Sequence, residues 1–366
     1  MKSSRTRVLL VHPHRGDLGG VASYYRILEP FSTVDASHFI NGRRPDEKSV
    51  HFSLGRLVGD YFRFVLLLSR ERYDVININP SLNRKGVLRD SVFILIAKHL
   101  LRHKTVVFFH GWEHPFVDKL TGWKLHLFRL VYGKADATIV LAKASKKILI
   151  DWGFSPDKVI VETTAFDESL TAGFDIERAI AARQKGPFNV LFFARLIKEK
   201  GLYESLDTFT LLNKKFPSMQ LLIAGDGEEF DNVKSFLEKS KLGGVDMMGY
   251  IKSREKIDLL TKSAVFFLPS YSEGLPISLL EAMAMGLPIV TRAVGGIKDF
   301  FEQRKHGFVT ESMQPDVFAE FISELFERRD LYEEISRHNY LYAKDHFSGS
   351  RVRQRMERIY STVGGK

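Results

Sequence analysis

The amino-acid sequence predicts an α/β protein with two doubly wound, Rossmann-like domains. The chain has 366 residues, which is longer than a domain with a single hydrophobic core usually is. Short runs rich in β-branched and aromatic residues recur along it, each followed by a longer helical pattern. These runs are too apolar for strands that are buried on one face only. They therefore indicate parallel strands with helices on both faces of the sheet.

Two series of such runs favour two separate sheets. The predicted strands are residues 8–12, 75–79, 105–110, 137–141 and 158–162, then 189–194, 220–224, 245–248, 264–268, 288–291 and 307–310. The boundary is predicted within residues 167–187, which are polar and show no strand pattern. We expect residues 1–167 to form an N-terminal domain and residues 168–344 a C-terminal one. Ligands of open parallel sheets bind beyond the carboxyl ends of the strands, where functional residues are therefore expected.

Composition excludes several classes of protein. The chain has no cysteine, which excludes disulfides, thiolate catalysis and cysteine-ligated zinc. No stretch reaches the roughly 20 apolar residues that a membrane-spanning helix needs. The apolar residues 8–11 are too few for the core of a secretory signal, and residues 12–15 interrupt them. We therefore expect a cytoplasmic protein.

The net charge of +10 is unevenly distributed. Residues 1–166 hold 26 Lys and Arg against 15 Asp and Glu, whereas residues 167–366 hold 28 against 29. A basic half can attract nucleic acid, anionic lipid or a phosphate-bearing substrate. Charge alone does not choose among these partners.

The most specific motif is formed by residues 272–288, which follow a predicted strand. Glu273 lies at its start, and Glu281 lies in a predicted helix with Pro276 in its first turn and Gly286 at its end. The N–H groups at the start of such a helix favour a phosphate. Taken alone, the two carboxylates would be interpreted as a capping acid and a solvated helix residue.

A second motif, residues 193–201, places two cations at a strand-to-helix turn. Arg195 leaves the end of the strand, and Lys200 precedes Gly201 at the start of the next helix. Two cations this close suit a diphosphate, although the pattern also describes a solvated basic loop. Residues 224–228 and 248–251 also follow predicted strands, and each sequence taken alone is typical of an ordinary tight turn.

Two motifs of the first half also follow predicted strands. Gly19 and Gly20 begin a helix, where glycines let the backbone approach a phosphate or a sugar closely. They do not form the three-glycine fingerprint of a dinucleotide site. His110 ends another strand, and its neighbour His114 also suggests a metal site, but the sequence offers no convincing third ligand.

Together these motifs resemble the retaining glycosyltransferases of the GT-B type, family 4 in particular. Glu273 and Glu281, separated by seven residues, resemble the E-x7-E element of that family. The resemblance implies two Rossmann-like domains that face each other across a cleft. It implies that Glu281 bonds the ribose hydroxyls of a nucleotide-sugar donor and that Glu273 contacts the transferred sugar. Arg195 and Lys200 would hold the diphosphate and stabilise it as the leaving group.

The resemblance also assigns the remaining site residues. Turns after two strands would line the nucleobase pocket, where the ring of Tyr250 would stack on the base. His110 would form a hydrogen bond with the transferred sugar. The residues expected to be catalytic are His110, Glu273, Arg195 and Lys200. The residues expected to bind the donor are Gly19, Gly20, Arg195, Lys200, Gly225, Tyr250, Ile251, Glu273, Gly274, Leu275, Pro276 and Glu281. No cofactor and no obligatory metal are expected, since no Asp-x-Asp motif follows a strand.

Two regions depart from the family pattern or extend it. Residues 161–167 replace the Pro-Asn-Gly-Val-Asp that many members carry, and Ala194 replaces a common glycine. The last helix, about residues 345–366, is expected to pack back on the N-terminal domain, as is common in GT-B proteins. That helix is amphipathic and carries four arginines between residues 351 and 360.

The resemblance implies metal-independent transfer of a hexose, with retention, from a UDP-linked donor to a glycan or lipid-linked acceptor. Synthesis of a cell-surface polysaccharide or lipopolysaccharide is the expected setting. A GT-B epimerase or phosphorylase remains an alternative. A nucleic-acid-binding protein is a second one, suggested by the charge, but the sequence shows neither a recognition helix nor interleaved aromatic and basic residues.

The sequence also predicts that the enzyme binds an anionic membrane surface, at the inner face of the membrane. Residues 55–72 and 119–134 combine apolar and basic residues at helical spacing, within the basic half of the chain. Each basic residue near an anionic surface contributes about 1 kcal/mol to attachment. The alternative is that these helices pack inside the domain and that their charges are merely solvated.

Overall fold

The computed structural model describes residues 5–12, 20–41, 52–240, 242–251 and 253–366, without the side chains of residues 52–54 and 253. The chain divides into two compact units. The N-terminal unit comprises Met1–Ala165 together with Gly349–Lys366, and the C-terminal unit comprises Phe166–Ser348. None of the helices in the described ranges has the length and apolar character that a membrane span requires.

The N-terminal unit is an α/β sandwich around a parallel sheet. Its strands are β1 (Thr6–His12), β2 (Val34–Ile40), β3 (Val75–Ile78), β4 (Ser81–Leu82), β5 (Thr105–Phe109), β6 (Gly111–Trp112), β7 (Ala137–Val140) and β8 (Val159–Val161). Its helices are α1 (Gly20–Leu28), α2 (Phe52–Arg70), α3 (Arg84–Ile94, continued by a π-helical turn Leu95–Leu100), α4 (His114–Val117), α5 (Gly122–Tyr132), α6 (Lys143–Asp151) and, at the end of the chain, α15 (Gly349–Gly364).

Six of these strands form one sheet in the order β2-β1-β3-β5-β7-β8, and every pair is parallel. One face of the sheet packs on α2, α3, α5 and α6 through a core that includes Phe64, Phe93, Phe128 and Leu149. Helices α1 and α15 contact each other, and α15 also contacts β1, β2, β3 and β5. Both faces of the sheet are therefore buried, which explains why its strands read as continuous apolar runs.

The C-terminal unit repeats this architecture. Its strands are β9 (Asn189–Phe193), β10 (Gln220–Ala224), β11 (Val245–Gly249), β12 (Val265–Leu268), β13 (Ile289–Arg292) and β14 (Gly307–Thr310). They form a parallel sheet in the order β11-β10-β9-β12-β13-β14. Its helices are α7 (Ile176–Lys185), α8 (Leu202–Lys215), α9 (Phe230–Ser240), α10 (Ser253–Lys262), α11 (Ile277–Ala284), α12 (Ile297–Phe300), α13 (Pro315–Glu327) and α14 (Arg329–Phe347).

The predicted fold class, two doubly wound domains with parallel sheets, is confirmed. All eleven predicted strands are present, with ends that differ by at most two residues. Strand β2 and the two-residue strands β4 and β6 were not predicted. Strand β2 is the edge strand beside β1, and it buries only Val34 and Phe39. An edge strand with Asp35, Ser37 and His38 in its middle lacks the apolar run on which the prediction relied.

Candidate active site

The turns that follow the central strands of the C-terminal sheet contact one another. After β9, the Leu196 amide donates to the Asp226 carbonyl oxygen, which follows β10, at 3.0 Å. After β12, the Tyr271 amide donates to the Glu199 carbonyl oxygen at 2.9 Å. These contacts join three turns at the carboxyl edge of the sheet, where parallel sheets bind their ligands.

Two glycines allow this close approach. Gly225 has a φ of +137°, and a Cβ added there would lie 1.9 Å from the Ala194 carbonyl oxygen. Gly295 has a φ of +53°, and its Cβ would lie 1.9 Å from the Glu273 carbonyl oxygen. No other residue fits such positions, because the backbone conformation and the available space both exclude a side chain. The predicted site residue Gly225 is thus required to bring the turns together.

Glu273 and Lys200, both predicted site residues, form an ion pair. Lys200 Nζ lies 2.7 Å from Glu273 Oε1, and the two side chains are 22% and 6% exposed. The two residues are 73 positions apart in the chain, so the pairing is a product of the fold. A carboxylate held by a lysine beside a helix N-terminus combines acceptors for hydroxyls with donors for a phosphate.

Arg195 is a predicted site residue at this edge that is not paired with any described carboxylate. Its side chain is exposed, directly after β9. Among the described residues, no carboxylate lies within ion-pair distance of its guanidinium group. By contrast, Lys198 in the same turn lies 3.8 Å from Glu229. Arg195 therefore offers an uncompensated planar donor, which suits a phosphate.

Glu281 is buried, so the interpretation as a solvated helix residue is wrong. It lies in α11, 5% exposed, and Lys256 Nζ of α10 approaches its Oε1 at 2.5 Å. Burial raises the pKa of Glu281 above its usual value, Lys256 opposes that shift, and Asp167 adds to it. A buried carboxylate with a single lysine partner keeps further lone pairs for a ligand.

Helix α11 is organised nearly as predicted. Gly286 adopts a left-handed conformation with φ +68° directly after the Met285 cap, as expected for the end of a helix. Pro276 was predicted in the first turn, but the helix begins at Ile277 and Pro276 is its extended N-terminal cap. The first amides of the helix have no acceptor within it. The preceding Gly274 is held by the Gly296 amide, which donates to its carbonyl oxygen at 2.6 Å.

The residues predicted to wall a nucleobase lie next to Gly225. The Gly225 amide donates to the Gly249 carbonyl oxygen at 2.8 Å, which joins the turn after β10 to the turn after β11. Tyr250 is 46% exposed and Ile251 is buried. An exposed ring beside a buried aliphatic residue fits the predicted stacking face, and this role stays a prediction.

Sequence reasoning missed Arg292, which ends β13 at the same edge. Its guanidinium group donates to the Glu311 carbonyl oxygen at 2.8 Å and lies 5.8 Å from the centroid of the Tyr271 ring. The available signal was a cation directly after a predicted strand, the same signal that identified Arg195. Lys256 was also missed, because a lysine in an amphipathic helix usually indicates only a solvated surface.

In the N-terminal unit, the polar residues at the carboxyl ends of β3 and β5 are joined. His110 Nε2 lies 3.2 Å from Asn79 Oδ1. Asn79 also accepts the hydroxyl hydrogen of Tyr25 at 2.7 Å, and its Nδ2 donates to the Val11 carbonyl oxygen at 2.9 Å. The contact with a carbonyl oxygen fixes which end of the Asn79 amide is the nitrogen. Asn79 was not identified from the sequence, although a polar residue at the end of an apolar run was visible there.

This arrangement fixes the protonation of His110. Because the Asn79 Oδ1 can only accept, His110 Nε2 must carry the hydrogen. Burial lowers the pKa of His110 to about 3, with a smaller contribution from His12. At neutral pH its Nδ1 is therefore an unprotonated acceptor. The ring stacks on Phe108 with 3.7 Å between centroids.

The remaining N-terminal predictions concern Gly19, Gly20 and His114. Gly19 lies outside the described residues. Gly20 is the exposed first residue of α1, with open space where a side chain would project. His114 begins the short helix α4 and is exposed.

The atypical residues 161–167 contain a buried acid that holds the last helix. The carboxylate of Glu162 accepts from Arg355 Nε of α15 at 2.8 and 3.0 Å, and Arg355 Nη2 donates to Thr163 Oγ1 at 2.7 Å. On the same helix, the Glu357 carboxylate accepts from the Thr33 amide at 2.8 Å. The departure from the family pattern thus coincides with a specific attachment of α15.

Family models match the chain in two adjacent parts. The model described as Glycosyl transferases group 1 matches residues 173–341, and the model described as Glycosyltransferase Family 4 matches residues 29–169. The chain belongs to the group 1, family 4 glycosyltransferases. The predicted family is thereby confirmed. In this family 4 chain, the Glu273 and Glu281 pair, Arg195 and Lys200 all lie within the first of these matches.

Curated relatives of this family 4 chain include proteins from two bacteria. An uncharacterized glycosyltransferase of Haemophilus influenzae is 30% identical over 159 residues, which cover 43% of this chain and 44% of that protein. A putative colanic acid biosynthesis glycosyltransferase of Salmonella typhimurium is 25% identical over 274 residues, which cover 72% and 66%. In both comparisons the chain spans less than two thirds of the relative's length.

Solved structures resemble this family 4 chain along nearly its whole length. Anabaena HepE in complex with UDP and glucose matches with a TM-score of 0.74 at 19% identity, over 98% of this chain and 100% of the other. Sucrose-phosphate synthase from Thermosynechococcus elongatus matches with a TM-score of 0.77 at 18% identity, over 99% and 100%. At such identities the likeness shows the fold, which is of the GT-B type.

Proposed function

We propose that this family 4 glycosyltransferase moves a sugar from a UDP-sugar to a glycan or lipid-linked acceptor, with retention of the anomeric configuration. The observation that carries the proposal is the grouping of Arg195, Lys200, Glu273 and the buried Glu281 at one edge of the C-terminal sheet. Two acids for hydroxyls, one of them held by Lys200, and the guanidinium group of Arg195 for phosphate are what a nucleotide sugar requires. UDP as the donor nucleotide is supported by the neighbours solved with UDP.

The donor binds to the C-terminal unit in this proposal. Glu281 accepts hydrogen bonds from the two ribose hydroxyls, and Lys256 opposes the rise of its pKa that burial causes. The amides at the start of α11 and the guanidinium group of Arg195 hold the diphosphate. Glu273, fixed by Lys200, accepts hydrogen bonds from hydroxyls of the sugar. The base lies against the turns that contain Gly225, Tyr250 and Ile251.

Transfer proceeds on one face of the sugar. The bond between the anomeric carbon and the diphosphate oxygen breaks, and its electron pair leaves with the diphosphate. The acceptor hydroxyl attacks from the same side and passes its proton to that oxygen. Charge develops on the leaving diphosphate, so preorganised cations contribute most to the rate. Arg195, whose charge no described carboxylate neutralises, is the main such group, and His110 accepts a hydrogen bond from a sugar hydroxyl through Nδ1.

The acceptor binds to the basic N-terminal unit. Relatives named for colanic acid, amylovoran and capsular polysaccharide biosynthesis support an acceptor in cell-surface polysaccharide or lipopolysaccharide synthesis. The excess of Lys and Arg over Asp and Glu in residues 1–166 suits an acceptor that carries phosphate or is presented by anionic lipid.

Glu281→Gln tests the proposed donor site. The substitution preserves the volume of the side chain but removes the charge that accepts the ribose hydroxyls. UDP affinity should fall by about 1–3 kcal/mol, and calorimetric titration measures it. The control is Glu238→Gln, which changes an exposed acid on α9 and should leave UDP affinity unchanged. Equal affinity of wild type and Glu281→Gln, with both folded by circular dichroism, would place the ribose elsewhere.

A further inference from the structure

Exposed apolar side chains are concentrated on one layer of the N-terminal unit. Of the sixteen large apolar or aromatic side chains that are exposed in the described ranges, ten lie between residues 58 and 130. They belong to α2, to α3 with its π-helical turn and the next residue, and to α5. Single exposed apolar residues are ordinary, but a concentration of this kind marks an interaction surface.

These three helices lie side by side on one face of the sheet. Tyr61 of α2 packs its ring against Phe93 of α3, with 4.8 Å between centroids. Tyr132 of α5 donates its hydroxyl hydrogen to the Val87 carbonyl oxygen of α3 at 2.9 Å. The inner sides of the helices belong to the core, so their outer sides form one surface. We call it the α2–α3–α5 face; its principal apolar members are Val58, Phe62, Leu66, Leu88, Trp123 and Leu127.

The apolar residues follow the helical repeat. On α2, Val58, Phe62 and Leu66 are four residues apart and 61%, 75% and 39% exposed. On α5, Trp123 and Leu127 are likewise four apart and 70% and 50% exposed. Residues four apart lie on the same side of a helix, so each helix presents a stripe to the outside.

The charge of the α2–α3–α5 face has one sign. The three helices, with the π-helical turn, contain nine Lys and Arg and only two carboxylates. Both carboxylates are buried: Asp60 lies 3.1 Å from Arg63, and Asp90 lies 2.8 Å from Arg89. No carboxylate of these helices is therefore exposed to oppose an anionic partner.

We propose that the α2–α3–α5 face docks on a bilayer that contains anionic lipid, with its apolar side chains at the acyl boundary and its cations at the headgroups. A second copy of the chain fits less well, because two identical faces would bring cations together without carboxylates. Nucleic acid would satisfy the cations but would leave Val58, Leu66 and Leu88 without an apolar partner. The inference rests on the proposed function in that a lipid-linked acceptor places the enzyme at a membrane.

Flotation with vesicles tests the docking face in the full chain. Wild type should float with phosphatidylglycerol-containing vesicles at low salt, much less at high salt, and not with pure phosphatidylcholine. Phe62→Ser combined with Trp123→Ser should weaken binding on the order of tenfold or more, since each ring loses its apolar contact. Lys85→Glu combined with Lys124→Glu should weaken it and reduce its salt dependence. The matched controls on α9 are Phe236→Ser and Lys234→Glu, both at exposed positions of the C-terminal unit.

Other readings of the face have distinct outcomes. Binding of the paired variants equal to that of wild type, or no wild-type binding to either vesicle, would overturn the proposal. A sedimentation coefficient that falls in Phe62→Ser with Trp123→Ser, in the absence of lipid, would identify the face as a dimer interface. Salt-sensitive binding to a DNA oligomer without vesicle binding would identify nucleic acid. UDP titration of each variant separates these results from the donor site, because a failed donor site leaves vesicle binding intact.

Discussion

His110 shows how neighbouring residues set the chemistry of one side chain. Asn79 fixes its tautomer, and burial disfavours its charged form. The sequence supported the position of His110, at the end of a predicted strand, but not this environment. The contacts that produce this environment come from β1, β3 and α1, which are distant in the chain. A local sequence pattern therefore cannot predict them.

The lowered pKa of His110 makes a prediction about stability and pH. An unfolded histidine titrates near 6.5, and the folded value is about 3, so between these the unfolded chain binds a proton that the folded chain does not. The contribution of His110 to the free energy of unfolding is therefore at its maximum above about pH 6.5. Below that pH it falls by up to about 1.4 kcal/mol for each pH unit. Between about pH 7 and 5, the free energy of unfolding should therefore decrease by about 2 kcal/mol less in His110→Asn than in wild type. Chemical denaturation at the two pH values measures this difference.

The control for this prediction is His126→Asn, which replaces an exposed histidine on α5 and should keep the wild-type pH dependence. In the same experiment, the ring signals of His110 should not titrate between about pH 5 and 8 when followed by NMR. Identical pH dependence of His110→Asn and wild type would show that His110 is solvated and titrates normally.

The carboxylates of Glu273, in the turn before α11, and Glu281, within α11, show where residue spacing stops being informative. Glu273 and Glu281 were identified from their spacing within a distinctive motif. Their lysine partners arise differently: Lys200 was proposed for the diphosphate but contacts Glu273, and Lys256 was not proposed at all. Both pairings depend on how α10, α11 and the turn after β9 pack, which residue spacing does not encode.

At the scale of elements, the strands with apolar runs were predictable and the polar edge strand β2 was not. Strands buried on both faces must be apolar throughout, which the sequence displays directly. Strand β2 has one neighbour and alternates Asp35, Ser37 and His38 with apolar residues, so it resembles a loop. The start of α11 was displaced by one residue because Pro276 fits both the cap and the first turn.

Helix α15 makes a prediction about local stability. Arg355 holds the buried Glu162 through two hydrogen bonds, and removal of the guanidinium group leaves that carboxylate without them. Arg355→Ala should lower the free energy of opening of α15 by about 1.5–3 kcal/mol, toward the lower end because Arg355 is a third exposed. Native-state hydrogen exchange of the α15 amides should then accelerate by roughly ten- to hundredfold.

Arg358→Ala is the matched control, since Arg358 is exposed on the same helix. Its amides should exchange as in wild type. Equal protection of α15 in the two variants would mean that the buried apolar residues Val352, Met356 and Tyr360 hold the helix without help from the ion pair.

At the scale of the whole molecule, charge is distributed differently in the two units. The sequence shows the division as an excess of cations in residues 1–166 and near neutrality in the rest. In the structure, nine of these cations lie on the three helices of the α2–α3–α5 face, whose two carboxylates are buried. The C-terminal unit instead places its cations in specific positions beside Glu273 and Glu281. We infer that the first distribution serves attachment and the second serves chemistry.

The proposed chemistry relies on the cations of the chain to stabilise the leaving diphosphate, which predicts that transfer needs no divalent metal. UDP release from a UDP-sugar with an acceptor should therefore continue after treatment with EDTA. Arg195→Ala should reduce kcat on the order of 100- to 1000-fold, because it removes a preorganised charge that acts mainly on the transition state. Its effect on KM should be much smaller.

Lys198→Ala is the control for Arg195→Ala, because Lys198 lies in the same turn but is 72% exposed and faces Glu229. Its kcat should stay close to that of wild type, which would show that position, rather than positive charge in the turn as such, is decisive. Thermal unfolding of both variants should match wild type, since neither cation is buried. Loss of activity in EDTA that magnesium or manganese restores, together with a normal kcat for Arg195→Ala, would assign stabilisation of the leaving group to a metal ion instead.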